Sequence, residues 1–360
     1  MTDTPRHGVL ADSDLDALAA TGHIRGGVRQ PASLDLPLGR RGYQIQASFL
    51  PRGRRVEDAV ADVALEPLEI PETGYIVMPG TILLVELDID LALPEHIQAR
   101  ANPKSSTGRL DIFVRVLSDR SAGYDEVPAG YAGRLWLEIA PRSFPIRIRP
   151  GIALAQIRFK IGRPELDDAG LQAMIAEGQL VGDTDLLVAN GLCMGIHLAE
   201  PADTAIGYRA RRNSKIIDLG KVRAYDARDF WEPVYARDGK VILEADAFYI
   251  LASRERIGIG PMYSAEMMPF DSSVGEFRVH YAGFFDPGFG WGNVNLARGV
   301  LEVRPHDVPV LIEHGQTMAR LVFERMLTIP KAHYGEPIGS NYNGQGIALA
   351  KHFYKADRAD

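Results

Sequence analysis

Leu137-Glu138-Ile139, followed by Phe144-Pro-Ile-Arg-Ile-Arg-Pro-Gly151 and Ala155-Gln-Ile-Arg-Phe159, decides the fold because the chain carries it twice. The second copy reads Leu301-Glu302-Val303, Val308-Pro-Val-Leu-Ile-Glu-His-Gly315 and Ala319-Arg-Leu-Val-Phe323, with the same spacing from glutamate to glycine to phenylalanine. Self-similarity over half a chain is the mark of a tandem duplication, and it has to be settled before any element is assigned. Two further echoes keep the same order: Lys104-Ser-Ser-Thr-Gly-Arg109 with Asp271-Ser-Ser-Val-Gly-Glu276, and Ser33-Leu-Asp-Leu-Pro-Leu-Gly39 with Ile216-Ile-Asp-Leu-Gly220. Two units are expected, residues 1–200 and 201–360, divided near Pro201, with the apolar Leu186 to Ala199 stretch assignable to either half.

Within each unit the runs are short and extended. Gly80-Thr-Ile-Leu-Leu-Val-Glu-Leu87 and the alternating Phe144 to Arg149 are broken by Pro and Gly about every ten residues, as in barrels and sandwiches. Helical periodicity is confined to Asp12–Ala20, with Asp12 or Ser13 as its cap, and to Asp167–Glu177, which ends at Gly178. The expected fold is all-β, with a few short helices.

The 360 residues, 46% hydrophobic and 24% charged, match globular averages, so the chain packs rather than staying disordered. A net charge of −7 opposes general binding to a nucleic-acid backbone and leaves room only for a local phosphate site. The single cysteine, Cys193, excludes an intrachain disulfide and a zinc site with paired cysteines, and reads as a buried free thiol. The polar N-terminus around Asp3, Arg6 and Asp12 lacks the pattern of a signal peptide, and no apolar run reaches membrane-spanning length, so a cytoplasmic protein without a membrane partner is expected.

Three clusters carry chemistry. Lys104 to Arg109 combines hydroxyls, a glycine and two cations, as a phosphate-cradling loop does, although the Walker spacing is missing and an ordinary turn has the same composition. The second copy keeps Ser272 and Ser273 but puts Asp271 and Glu276 where the cations were, which repels a triphosphate. Glu138 and Glu302 each interrupt an apolar strand; such a carboxylate either faces solvent or lies in a pocket that raises its pKa toward the range of proton transfer. The third cluster is the stretch from His280 to Trp291, where Asp286-Pro-Gly288 is a turn signal flanked by aromatics that could wall a base or sugar while the carboxylate takes a hydroxyl. Trp136, Trp231 and Trp291 read either as core or as base platforms.

Ser-Ser-x-x-Arg in the first copy, and His-x-Ala-Gly, Asp-Pro-Gly, Leu-Glu, His-Gly and Phe-Glu in the second, resemble the dCTP deaminase branch of the trimeric dUTPase-like fold. The tail adds to the likeness: Tyr334, Asn341-Tyr342-Asn-Gly-Gln345-Gly346 and then Lys351 are similar to the segment that closes over nucleotide in that family. The resemblance implies two distorted β-barrel or jelly-roll units and zinc-independent hydrolysis of dCTP to dUTP and ammonia, supplying dUTP for thymidylate synthesis. It implies Mg²⁺ carried by the triphosphate and a homo-oligomer built on trimers. It further implies Glu138 as general acid/base, Arg109 and Ser105 orienting the water, and Lys104 and Ser106 near the phosphates.

Each copy is damaged where the other is whole. The segment Ser118 to Gly130 replaces the compact hairpin in the first, leaving Asp125, Glu126 or neither as its sugar-binding acid, while Glu276 replaces the arginine in the second. Because the loop and hairpin of one site come from neighbouring units in this fold, a complete site would join Lys104–Arg109 to Asp286, Glu302, Tyr334 and Gln345, with Glu302 as acid/base and Glu138 a relic. The rival pairing uses Arg109 with Glu138. Two other functional classes stay open: a dUTP diphosphatase or bifunctional enzyme, opposed by the lack of a C-terminal glycine- and arginine-rich motif, and a non-catalytic nucleotide sensor.

Overall fold

In an extended strand alternate side chains point to opposite faces, so each strand offers one set of residues to its own core and the other set to whatever lies outside. The computed structural model describes residues 7–269, 277–279, 283–292, 296–331 and 347–354. In the first unit, helix α1 (Asp12–Ala20) leads to β1 (Ile24–Gly26), β2 (Leu34–Ile45), β3 (Ile82–Ala92), β4 (Ile97–Pro103), a single helical turn α2 (Ser105–Gly108), β5 (Ile112–Ser118), β6 (Glu126–Val127), β7 (Ala132–Pro141), β8 (Ile146–Ile148) and β9 (Ala153–Ile161). In the second unit, α3 (Asp168–Ala176) leads to β10 (Leu180–Gly182), β11 (Leu192–Gly195), β12 (Gly207–Ala210), β13 (Ile217–Asp218), β14 (Tyr249–Ile259), β15 (Tyr263–Pro269), β16 (Phe277–Val279), β17 (Phe284–Phe285), β18 (Ala297–Pro305), β19 (Val310–Glu313) and β20 (Thr317–Arg325).

The first unit's strands run β6-β4-β9-β2-β3-β7-β5 in one strongly curved, nearly closed sheet. The second unit repeats this order in two pieces, β17-β15-β20-β11 and β12-β14-β18-β16. The long β2, which bridges both halves of the first sheet, is divided in the second unit into β11 and β12. The all-β, two-unit expectation stands, and among the described residues no helix is long and apolar enough to cross a membrane.

The expected boundary near Pro201 is corrected. Leu171 and Met174 of α3, Leu180 of β10, and Leu192, Met194 and Ile196 pack in one core with Leu251, Leu301 and Leu321 of the second unit. α3 and β10 repeat α1 and β1: β1 pairs with β3, and β10 pairs with its counterpart β14. The second unit therefore starts just before α3. The proposed echo of Ser33–Gly39 in Ile216–Gly220 also fails, because β9 pairs with Leu34 to Pro37 as β20 pairs with Leu192 to Gly195. Ile217–Asp218 instead adds a parallel strand to β8 of the first unit.

Both predicted helices exist, with different caps from one another. The α1 N-cap residue is Ala11, whose N–H donates to Asp14 at 2.9 Å, whereas Asp167 caps α3 by accepting from Gly170 N–H at 2.8 Å. Cys193 is buried and free, and Trp136 and Trp231 are core residues.

The outward faces of several strands meet in a seam between the units. On β9, Ala155, Ile157 and Phe159 fill the first core, and the alternate residues Arg158 and Lys160 face the second unit. On β18, Leu301 and Val303 fill the second core while Arg304 reaches back to pair with Asp111. Asp111 also accepts from Ser143 Oγ at 2.6 Å, and Arg304 donates to that hydroxyl at 3.1 Å. Neutralising Asp111 leaves a buried guanidinium uncompensated, so Asp111→Asn is expected to lower stability by about 3–5 kcal/mol in urea unfolding. A loss below ~1 kcal/mol would show that this pair does not hold the seam.

Candidate active site at the seam

The loop predicted to hold phosphate lies at this seam. Lys104 precedes α2 and pairs with Asp35, the outward residue between Leu34 and Leu36 on β2. Ser106 and Thr107 are buried, and Thr107 Oγ1 donates to the Leu154 carbonyl at 2.7 Å, tying the turn to the start of β9. Ser105 stays half-buried at the open side. Arg109, 7% exposed, donates through Nη1 to the Ala348 carbonyl at 2.8 Å, so the chain's C-terminal segment crosses over the arginine.

Glu302 comes to the same place from β18 of the other unit. A methyl group added at Gly108 would stand 2.7 Å from its carboxyl carbon, which gives the closeness of strand and loop. Burial drives the Glu302 carboxyl well above the usual carboxylate range; the Arg109 charge opposes that rise and the Asp111 charge adds to it. A carboxyl shifted upward in this way holds its proton more readily than an exposed one, as a proton carrier must.

Asp286, at the end of β17, completes the cluster. Its carboxyl is raised by burial, while the charges of Arg158 and Lys104 act in the other direction. Lys351, half-buried, is lowered by burial and by repulsion from Lys104, so two cations share this corner with Asp35. The backbone around Lys351 is held by the second unit: Arg223 N–H donates to the Lys351 carbonyl at 3.0 Å and Ala224 N–H to the His352 carbonyl at 2.8 Å. Phe353 anchors that segment against Phe230 and Trp231.

The seam thus brings together Lys104, Ser105, Ser106, Arg109, Asp286 and Glu302, and it does not bring Glu138 to them. Glu138 occupies the equivalent strand position on β7 but is 1% exposed in a different setting. It accepts from Ser48 Oγ at 2.7 Å and from Arg115 Nη2 at 3.0 Å, and Arg115 lies over the Tyr124 ring at 3.7 Å. Within one chain the pairing of Arg109 with Glu138 is not formed. Register shows which first-unit residue is equivalent to Asp286. Val127 stands opposite Ala99 as Phe285 stands opposite Ala265, which puts Pro128 in the place of Asp286. Asp125 instead accepts the Val116 N–H at 2.8 Å, its carboxyl pushed up by burial to about 7.

Tyr334 and Gln345 lie outside the described residues, as do Asp271, Ser272, Ser273, Glu276 and His280. Sequence reasoning missed Asp35, Arg158 and the Ala348 carbonyl. Asp35 carried a signal, a lone acid among the alternating leucines 34, 36 and 38; the other two depend on contacts between distant segments.

Comparison with known proteins agrees with this division of the chain. The profile of the 2'-deoxycytidine 5'-triphosphate deaminase N-terminal domain matches residues 6–163, and that of the C-terminal domain matches residues 167–353. The chain is 30% identical over 165 residues to a dUMP-forming dCTP deaminase of Parafrankia sp. (strain EAN1pec), covering 43% of this chain and 78% of the relative. It is 33% identical over 133 residues to a dCTP deaminase of Haloarcula marismortui, covering 36% of this chain and 65% of that one. A crystal structure of a 2'-deoxycytidine 5'-triphosphate deaminase from Agrobacterium tumefaciens superposes with a TM-score of 0.84 at 45% identity, covering 89% of this chain and 99% of that one.

The raised Glu302 carboxyl has a measurable consequence. Between the ordinary carboxylate pKa and its own, the folded chain keeps a proton that the unfolded chain has lost, so this residue's contribution to stability falls as pH rises through that window. Glu302→Gln is neutral at every pH. It is expected to unfold at nearly the wild-type denaturant midpoint at about pH 5 and at a higher midpoint at about pH 8. Equal midpoint differences at both pH values would contradict the burial assigned to this carboxyl.

Proposed function

Because the chain belongs to the dCTP deaminase family, we propose that it hydrolyses dCTP to dUTP and ammonia at the seam between its two units. The observation that carries this reading is the meeting of Arg109 and its loop from the first unit with the buried Glu302 of the second.

The chemistry follows from that pair. Glu302 as carboxylate takes a proton from a water that adds to C4 of the cytosine, and delivers it to N3. It then transfers the remaining proton of the added hydroxyl to the amine, which leaves as ammonia while the C4 carbonyl forms. Arg109 and Ser105 orient the water and stabilise the charge that develops as it attacks. Lys104 and Ser106 bind the triphosphate, which brings its own Mg²⁺, and no zinc enters any step. Asp286 accepts the sugar hydroxyl, and Tyr334 and Gln345 belong to the segment assigned to closing over the nucleotide. Burial supports the assignment, since a water-poor site strengthens each of these interactions. A single chain supplies two barrel units, and association of chains on a trimer base belongs to the same proposal. The product dUTP would enter thymidylate synthesis.

The dUMP-forming relative from Parafrankia favours a second reading in which the same site also cleaves the triphosphate. Product analysis of purified chain with dCTP and Mg²⁺, and separately with dUTP, distinguishes the two. Ammonia with dUTP is expected; dUMP with pyrophosphate would establish the added cleavage. Saturable dCTP binding without ammonia would overturn catalysis in favour of a nucleotide sensor. Glu302→Gln is expected to lower the deamination rate by ~10²–10⁴, while Glu138→Gln stays within about tenfold of wild type. Equally large losses in both would refute a single acid/base.

A further inference from the structure

Arg158 belongs to the first unit, yet its guanidinium holds the hairpin of the second. Nη1 donates to Glu324 Oε2 at 3.0 Å and to the Ala265 carbonyl at 3.3 Å. Nη2 donates to the Phe285 carbonyl and to Asp286 Oδ1, each at 3.4 Å, and the guanidinium lies 4.0 Å from the centre of the Phe284 ring. One side chain, 2% exposed, thereby touches three consecutive residues, 284 to 286. Ala155 and Ile157 on β9 correspond by register to Ala319 and Leu321 on β20, so Val322 fills the place of Arg158 in the second unit.

We propose that Arg158 is a positioning residue that makes Asp286 the reader of the substrate's sugar hydroxyl. The inference rests on the assignment of Asp286 as sugar ligand made above. A guanidinium is a rigid planar fork, so donating to Asp286 and to the backbone beside it sets the orientation of the carboxylate as well as supplying charge. Its bond is to Oδ1, so on this proposal Oδ2 takes the substrate hydroxyl. In dCTP the 5′ oxygen carries the phosphates and C2′ has no oxygen, so the 3′-hydroxyl is the one free sugar hydroxyl available. A site built to bond a hydroxyl discriminates strongly against an analogue without it, because its own polar group is left unpaired.

The test compares dCTP with 2′,3′-dideoxy-CTP in the full-length chain, by kcat/KM and by equilibrium binding, for wild type, Arg158→Met and Arg158→Lys. Wild type is expected to prefer dCTP by ~10²-fold or more. Arg158→Met is expected to reduce that preference at least about tenfold, with the loss falling on dCTP and little change for the dideoxy analogue, and Arg158→Lys to lie between. In an Asp286→Asn background, Arg158→Met is expected to cause no further loss of preference, as for two residues acting through one contact. If both nucleotides weaken by the same factor in Arg158→Lys, the residue merely supports the fold and the proposal is wrong. The lysine variant decides the matter if the methionine variant fails to fold. Absence of wild-type turnover would refute the deaminase reading, whereas the binding ratios of the two nucleotides would still decide the role of Arg158.

Discussion

Charged side chains buried between the two units are the constraint on which the rest of the molecule depends. Strand alternation makes them unavoidable: with Ile157 and Phe159 turned into the first core, Arg158 and Lys160 must face the second unit. Each such charge needs a partner, because removing a charge from water without one costs several kcal/mol. Arg158 and Lys160 meet Glu324, Arg304 meets Asp111, and the buried Glu266 is met at 3.0 Å by the partly exposed Arg100. Two of these contacts join residues at equivalent places in the repeat: Arg100 corresponds to Glu266, and Lys160 to Glu324. A seam of the same geometry between two identical units would set arginine against arginine and lysine against lysine. Divergence at these positions has made the halves complementary, and it specifies which half takes which side.

That asymmetry explains why two glutamates in the same strand context have different surroundings. Glu138 and Glu302 each sit between apolar neighbours that turn inward, and each faces outward from its barrel. What covers the outer face differs. The first unit covers Glu138 with its own Ser48 and Arg115, which form direct hydrogen bonds to the carboxylate. The second unit leaves Glu302 to be covered by Gly108 and Arg109 of the first, where desolvation outweighs the neighbouring cation and the carboxyl rises. For Glu302, burial beside a cation that also bonds the Ala348 carbonyl raises the carboxyl.

The duplication was legible because turn glycines and core-facing apolar residues keep their spacing from Glu138 to Phe159 and from Glu302 to Phe323. The boundary was misread where the copies diverge most. Ile216–Gly220 shares an Ile-Asp-Leu pattern with Ser33–Gly39 by composition alone, while the true counterpart, Leu192-Cys-Met-Gly195, has Cys193 where β2 has Asp35. Matching the two helices, each followed by a short strand on the edge of its sheet, would have placed the division correctly. The site loop and hairpin were legible as local patterns. Arg158 was not, because in Gln-Ile-Arg-Phe it has the alternation of a solvent-facing strand residue and only the second unit buries it.

The same reasoning limits how many sites of this type the chain can build. A reciprocal site would set Glu138 against the second unit's serine loop, where the sequence supplies Asp271 and Glu276 in place of Lys104 and Arg109. It would also require a hairpin acid from the first unit, and register puts Pro128 there. Two carboxylates supplied by that loop would repel a triphosphate instead of neutralising it. With Arg115 already bonded to Glu138, the first unit has turned that corner into part of its own packing. In the proposed site each unit therefore supplies a part: the first provides Lys104 and Arg109, and the second Asp286 and Glu302. The buried pairs that forbid exchange of the units are also what hold those parts in register.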